Sequence, residues 1–362
     1  MKGLILAGGH GTRLRPITHT SNKHLIPLAN TPMLFYPIKT LKEAGITDIG
    51  IIVGHTPERI KEIKDAVGDG SKFGIKVSYI EQDAPRGLAH AVKVAKDFLM
   101  KNNPDQKFVV HLGDNILKGG ISKYIQKFKN KDVDCVILLK DMPDPSRFGV
   151  AEVNNGKVIK LVEKPKTKIS NLALVGIYMF NESVFDSIQK LKPSFRHEYE
   201  ITEAIQGLID ARKTVEYFIV DSSWWKDPGD PEGILEANRL ILDELKPFNK
   251  GVIEKGAKVT GKVGIEEGTV IRTGSSVIGP VIIGKNCIVG KNTQIGPYTS
   301  IGDNCIIENA EIESSILIGD SKIDCKQKIV DSLLGKNVTI TSENTRKRES
   351  KFVVGENSII VI

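Results

Sequence analysis

At 362 residues, with 26% charged and 40% apolar residues, the chain is an ordinary soluble globular protein in composition and long enough for two domains. Its net charge of +7 sits on scattered lysines, without a basic tract interleaved with aromatics. That argues against a nucleic-acid partner and suits an anionic small substrate. No apolar run approaches the roughly 20 residues needed to span a bilayer, so no membrane partner is expected, and a strand beginning at residue 2 or 3 leaves no room for a signal peptide.

The first predicted element is an apolar run at residues 4–6, too short for a helix, that stops at the glycine cluster Gly8, Gly9, Gly11. Glycines let backbone N–H groups approach a ligand, and the guanidinium fork of Arg13 suits phosphate oxygens. The physical reading is a loop wrapped around a polyphosphate, against the alternative of a strand-to-helix turn with no ligand. The spacing excludes a P-loop, because no Gly-Lys-Ser/Thr follows, and excludes the dinucleotide fingerprint, because Leu14 stands where its glycine would be.

From residue 2 to about 140, apolar runs at 49–53, 77–80, 108–112 and 135–139 read as strands. Amphipathic stretches at 34–44, 58–67, 88–100 and 121–129 read as helices between them. Alternation of this kind predicts a largely parallel sheet with helices on both faces and ligands at the C-terminal strand ends. Residues 148–153, 158–163 and 172–180 read as strands with hairpin-like breaks such as Asn154-Asn155-Gly156. Helices are expected at 183–190 and 199–212, a strand at 215–220, and a closing helix at 233–245 stopped by Pro247.

After residue 250, Ile283-Gly284, Val289-Gly290, Ile295-Gly296 and Ile301-Gly302 recur every six residues. Weaker echoes stand at Ile265, Val270-Ile271, Ile278-Gly279, Ile318-Gly319, Leu334-Gly335 and Val354-Gly355. An apolar hexapeptide period is the signature of a parallel β-helix. The expected domains are therefore 1–245, catalytic, and 250–362, a solenoid with a charged loop ejected at 343–351. Cys135, Cys287, Cys305 and Cys325 lack CxxC spacing, which speaks against zinc or a redox pair and fits a reducing, cytoplasmic location.

Asp114 ends a predicted central strand, and Asp227 stands at another strand-to-helix junction. Either aspartate alone reads as a turn residue or N-cap. With the glycine loop, the pair suits Mg²⁺, which takes one or two carboxylates and completes its shell with phosphate and water. Gln82 carries a donor and an acceptor, which can meet the N3–H and a carbonyl of a pyrimidine imide, and Gly87 can bring backbone groups to the base. Lys164 follows an apolar strand, where Pro165 blocks extension of the pairing.

The pattern GGxGTRLxPxT at 8–18, Lys23 in SNKHLIPLANTPM, Glu163-Lys164-Pro165 and Arg147-Phe148-Gly149-Val150 together resemble the sugar-1-phosphate nucleotidyltransferases. The resemblance covers residues 2–242, with the motifs in the family's order. Within the family the chain is most similar to the long form of the thymidylyltransferase branch. That implies an α/β Rossmann-like, mixed but mainly parallel sheet followed by a left-handed parallel β-helix. It also implies Mg²⁺-dependent transfer of dTMP from dTTP to glucose 1-phosphate, giving dTDP-glucose and pyrophosphate.

The resemblance assigns the nucleotide to Leu6, Ala7, Gly8, Gly9, Gly11, Thr12, Arg13, Gln82, Gly87 and Asp114. It assigns the sugar phosphate to Gly149, Glu163, Lys164 and Val175, catalysis to Arg13, Lys23 and Lys164, and the metal to Asp114 and Asp227. His10, where a small residue is usual, is the one departure. A homo-oligomer is expected. UTP stands as an alternative donor, since the imide edge is common to thymine and uracil. Two other readings are a second, acetyl-transferring activity in the solenoid and a non-catalytic assembly subunit. All seven histidines precede residue 250, so the solenoid lacks the usual general base for acetyl transfer.

Overall fold

The computed structural model describes residues 1–220, 224–341 and 349–361. Two compact units are present: Met1–Gly9 with Leu34–Asp227, and His10–Met33 with Pro228–Ile362. Residues 10–33 and 228–245 fold with the solenoid. Of the charged run expected to loop out at 343–351, residues 343–348 lie outside the described part. No helix among the described residues is long and apolar enough to cross a membrane.

The first unit is built on one mixed sheet. Its strands are β1 (Lys2–Leu6), β2 (Asp48–Val53), β3 (Lys76–Glu81), β4 (Phe108–Leu112), β6 (Cys135–Asp141), β7 (Gly149–Asn154), β8 (Lys157–Glu163), β9 (Leu172–Phe180) and β10 (Val215–Ile219). A separate short ribbon pairs β5 (Ile116–Leu117) with β11 (Trp225–Lys226). The spatial order is β8-β7-β9-β4-β1-β2-β3, with β6 on β9 and β10 on β6. Strands β4, β1, β2 and β3 run parallel, and β9 reverses direction against β4.

Side chains alternate along β1. Ile5 enters one apolar core, while Leu4 and Leu6 enter another on the opposite face. Helices cover both faces, as the alternating pattern predicts. On the Ile5 side lie α1 (Phe35–Glu43), α2 (Pro57–Val67) and α5 (Ser122–Asn130). The other side carries α3 (Leu88–Val94), α4 (Lys96–Met100), α6 (Ser183–Lys190) and α7 (Ile201–Asp210).

One sequence expectation needs correction here. The single helix predicted over 88–100 is two, broken at Ala95, whose N–H bonds the Val92 carbonyl in a tightened turn. The apolar spacing runs through this break because both short helices press the same core.

In the second unit, three parallel sheets of seven, seven and six strands stack about a common axis, an arrangement consistent with a left-handed β-helix. The inward residues Ile265, Ile271, Val277, Ile283, Val289, Ile295, Ile301 and Ile307 are all buried, which is the hexapeptide period made physical. Two echoes were misphased. Val277 points inward while Ile278 is exposed, and Leu317 points inward in place of Ile318. The second shift arises because the inward spacing falls from six residues to five between Ile307 and Ile312 and again between Ile312 and Leu317.

Turn columns stack as well. Asn286, Asn304 and Asp320 adopt φ of 55°, 60° and 54°, which Asn and Asp tolerate best after glycine. Each amide donates to the next coil, Asn286 to Asn304 at 3.3 Å and Asn304 to Asp320 at 2.8 Å. One outer face of the solenoid is covered within this unit by α8 (Pro231–Leu242) and by residues 10–33. Ala29, Leu242 and Ile282 form a small apolar cluster there. Buried Asn238 accepts from the Ala29 N–H (2.8 Å) and the Ser300 hydroxyl (2.7 Å), and Asn30 donates to the Ile301 carbonyl (2.7 Å).

Candidate active site

In the first unit the C-terminal ends of β1, β2 and β4 lie side by side. Leu6 pairs with Ile52 and Leu112, so the chain leaves three neighbouring strands at Ala7, Gly54 and Gly113. The Ala7 N–H bonds Ile52 and the Gly113 N–H bonds Leu6, both at 2.9 Å. Leu6 and Ala7 are buried, so only their backbone can serve a ligand. Gly8 and Gly9 follow at the edge where open α/β sheets bind ligands.

Gln82, immediately after β3, comes to the first of these glycines. A Cβ on Gly8 would stand 3.2 Å from Gln82 Oε1. Gln82 is buried, and its Nε2 donates to the Gly87 carbonyl at 3.3 Å and lies 3.1 Å from His90 Nδ1. Gly87 is the N-cap of α3 at φ 99° and ψ 172°, a conformation open to glycine. A Cβ there would also collide with the Tyr199 backbone, 2.5 Å from its carbonyl oxygen. The structure therefore joins Gly8, Gln82 and Gly87 in one corner, with the Gln82 amide nitrogen already committed inside the protein.

Asp114 and Asp227 are brought to one end of the short ribbon. β11 pairs antiparallel with β5, Lys226 opposite Ile116, so Asp227 follows its strand where Asp114 and Asn115 precede theirs. Asn115 locks this end: its Nδ2 donates to Asp114 at 3.0 Å and its Oδ1 accepts from the Trp225 indole at 2.7 Å. The carboxylates of Glu163, Asp227 and Asp114 all act on the hydroxyl of Tyr178. Burial first, then these charges, push the phenol well above its usual range.

Among the described residues no group of three or more His, Cys, Asp or Glu side chains converges as a ready-made cage. Two hard carboxylates fit a cation such as Mg²⁺ and do not make the four-ligand His and Cys set of a structural zinc. Three residues upstream of Asp114, His111 is fully buried. Its Nδ1 donates to the Leu112 carbonyl at 2.8 Å, and its Nε2 has no partner among the described residues. Burial lowers its pKa from 6.5 to about 4.

The residues expected to meet the sugar phosphate form a second cluster in the same unit. Gly149 pairs with Glu163 across β7 and β8, and a Cβ on it would lie 2.5 Å from the Thr202 methyl and 3.2 Å from Glu163 Oε2. Thr202 donates to Glu163 at 3.3 Å, and Arg196 stands 3.6 Å from the same carboxylate and 3.3 Å from Glu200. Burial, then the charge of Glu200, raises the pKa of Glu163, while Lys164 and Arg196 oppose the rise.

Lys164 is exposed and held at φ 43°, an uncommon conformation for a non-glycine residue, with its N–H bonded to the Phe148 carbonyl. The strained backbone turns the lysine out of the strand beside Glu163, 4.0 Å away. Val175 is different: its side chain is fully buried in the core, at a shift in the pairing of β9 with β6, leaving only its backbone for a ligand. Sequence reasoning missed Arg196, Glu200 and Thr202. The Arg–Glu spacing of four was the available signal, but it reads equally as a surface pair.

The remaining predicted residues lie in the second unit. Gly11 adopts φ 65°, and a Cβ there would stand 2.7 Å from Lys23 Cβ, so its glycine identity lets Lys23 close on the loop. The Thr18 hydroxyl donates to the Gly11 carbonyl at 2.7 Å, and residues 12–14 make a single tight turn. Thr12 and Arg13 are exposed, and the Arg13 guanidinium lies over Gly229, 2.6 Å from where a Cβ would be.

The nucleotidyl transferase family model matches residues 2–244, and a model described as the GMPPB C-terminal domain matches residues 277–360. The chain is 43% identical over 359 residues to a glucose-1-phosphate thymidylyltransferase of Streptomyces griseus, covering 99% of this chain and 98% of that protein. It is 46% identical over 360 residues to the low-salt glycan biosynthesis nucleotidyltransferase Agl11 of Haloferax volcanii, covering 99% of both. A crystal structure from Bacillus anthracis, described as a glucose-1-phosphate thymidylyltransferase in complex with a sucrose, aligns with a TM-score of 0.62 at 40% identity. The alignment covers 69% of this chain and 97% of that one. With the family's pattern running through two thirds of its length and relatives matched end to end, this chain belongs to the nucleotidyl transferase family.

Proposed function

We propose that the enzyme transfers deoxythymidylate from dTTP to glucose 1-phosphate, releasing pyrophosphate. The observation that carries this reading is the corner formed by Gly8, Gln82 and Gly87 beside the strand end that bears Asp114. A pyrimidine imide placed there would give its N3–H to Gln82 Oε1, with the phosphates running along the glycine loop. The end-to-end relative named glucose-1-phosphate thymidylyltransferase supports the same donor and acceptor.

In this mechanism an oxygen of the sugar phosphate attacks the α-phosphorus, the α–β bridging bond breaks, and pyrophosphate carries away the electron pair. The nucleophile is already ionised at neutral pH, so no general base is needed, and catalysis is positioning with charge neutralisation. Lys164, turned out beside Glu163, holds the sugar phosphate. Glu163, fixed by Thr202 and Arg196, and the backbone of Gly149 and Val175 meet the sugar.

Leu6, Ala7, Gly8, Gly9, Gly11 and Thr12 offer backbone groups to the nucleotide. Arg13 and Lys23 neutralise the α-phosphate and the departing pyrophosphate, a role that rests on the motif they share with the glycines. The family generally uses a divalent metal. We assign Mg²⁺ to Asp114 and Asp227, where it would screen phosphate charge.

A homo-oligomer is supported by an outward column of Val252, Val270, Ile288 and Ile306 on successive coils of one solenoid face. Val252 is 57% and Ile306 38% exposed. Four free, buried cysteines accord with a reducing, cytoplasmic location. The reaction is tested by incubating the protein with dTTP, glucose 1-phosphate and Mg²⁺ and following products by phosphorus NMR. dTDP-glucose and pyrophosphate in equal amounts are expected. Inorganic phosphate without a nucleotide sugar would contradict the assignment.

A further inference from the structure

We propose that His90 is a positioning residue that fixes the Gln82 amide with its oxygen outward, so that the site selects bases carrying a ring N–H. The inference rests on the reading of Gln82 as the base contact and adds what decides which half of its amide is presented. The Gly87 carbonyl can only accept, so the atom 3.3 Å from it is the amide nitrogen. The second hydrogen of that nitrogen points to His90 Nδ1 at 3.1 Å, which must then carry the lone pair. The ring proton consequently sits on Nε2, on the side of Asp83, whose Oδ1 is 3.6 Å away.

Burial keeps the imidazole's pKa below its ordinary value, with Asp83 opposing, and the ring stacks on Tyr199 at 6.2 Å between centroids. Asp83, His90 and Gly87 thus hold Gln82 by its donor end. The opposite end of the amide, Oε1, lies beside the Cβ-free Gly8. An acceptor held in this way matches the N3–H of thymine or uracil and faces the N3 lone pair of cytosine. An amide free to turn would serve both.

The test uses the full chain and initial rates of pyrophosphate release with glucose 1-phosphate, comparing dTTP with dCTP. In His90→Leu and His90→Ala, which lack the lone pair, the dTTP-to-dCTP ratio of kcat/KM should fall at least about tenfold. The change should appear as a higher KM for dTTP and a lower KM for dCTP, with kcat for dTTP little altered. His90→Asn, whose Oδ1 stands as far from Cβ as the ring Nδ1 and can accept the same hydrogen, should restore the ratio.

An unchanged ratio in a folded His90→Leu or His90→Ala overturns the proposal. So does a collapsed ratio in folded His90→Asn, which keeps the test decisive if the other two fail to fold. Gln82→Leu separates the two levels of the argument. Undiminished turnover of dTTP by that variant means the base lies elsewhere. Lost turnover there with an unchanged ratio in the His90 variants means that only the role of His90 is wrong.

Discussion

The chemistry at the scale of single residues depends on charges held where water would otherwise screen them. If Asp114 and Asp227 share one Mg²⁺, Asp114→Asn and Asp227→Asn should each lower kcat by a factor of order 10² or more. The double variant should be little worse than either single one, because each already disables the same site. Thermal melting should be nearly unchanged, since both side chains are only partly buried.

His111 gives a pH signature instead. Its folded pKa of about 4 lies below the ordinary 6.5, so the unfolded chain binds the extra proton first as pH falls. Stability is therefore intact above about 6.5 and is lost progressively toward pH 4, by roughly 3 kcal/mol in the limit. Urea unfolding of wild type and His111→Leu across that range should show the wild-type slope flattened in the variant.

At the scale of elements, glycines and short turns place the groups that residue chemistry uses. Gly87 starts α3 at φ 99° with the Tyr199 backbone against it. Gly87→Ala should destabilise the fold by about 1–3 kcal/mol. It should also raise the KM for dTTP, because the carbonyl that anchors Gln82 would shift. A melting curve and a dTTP titration check both halves.

Much of this was legible in the sequence. The strands at 108–112 and 172–180 and the helix at 183–190 match their apolar patterns to the residue, because each buries a continuous stripe. The break at Ala95 was not legible, since both short helices keep one apolar face. The misphased coils at Val277 and Leu317 escaped because glycine after an isoleucine marks a turn without saying how many residues the turn spends. At the site, Gly8, Gly87, Gly149 and the two aspartates could be read from motif and position. Arg196, Glu200 and Thr202 could not, since their meaning comes from β8 lying against α7 and the residues that lead into it.

At the scale of the whole molecule, the solenoid does more than extend the chain. Residues 10–33, which carry Thr12, Arg13 and Lys23, belong to the same compact unit as the β-helix. Asn30 donates to Ile301, Ala29 to Asn238, and the Ser21 hydroxyl to Glu356 at 2.7 Å near the last coil. Ending the chain after residue 245 would strip Ile301 from Asn30 and Glu356 from Ser21, and would bare Ala29 and Leu242 by removing Ile282. Turnover should fall by a factor of order 10 or more, since a shift of about 1 Å in a positioning group can cost ~10²-fold. Full activity of the truncated chain would show that the segment is held without the solenoid.

The central claim is that this enzyme joins a thymidine nucleotide to glucose 1-phosphate through the acceptor Gln82. It is tested most directly by pyrophosphate release over a matrix of nucleoside triphosphates and sugar 1-phosphates. The base methyl is worth roughly 0.8 kcal/mol, and uracil presents the same imide edge. dTTP with glucose 1-phosphate should therefore give the highest kcat/KM, with UTP lower by about ten- to a hundredfold and cytosine and purine nucleotides far behind. A preference for ATP or GTP, or equal rates with dCTP and dTTP, would contradict the account.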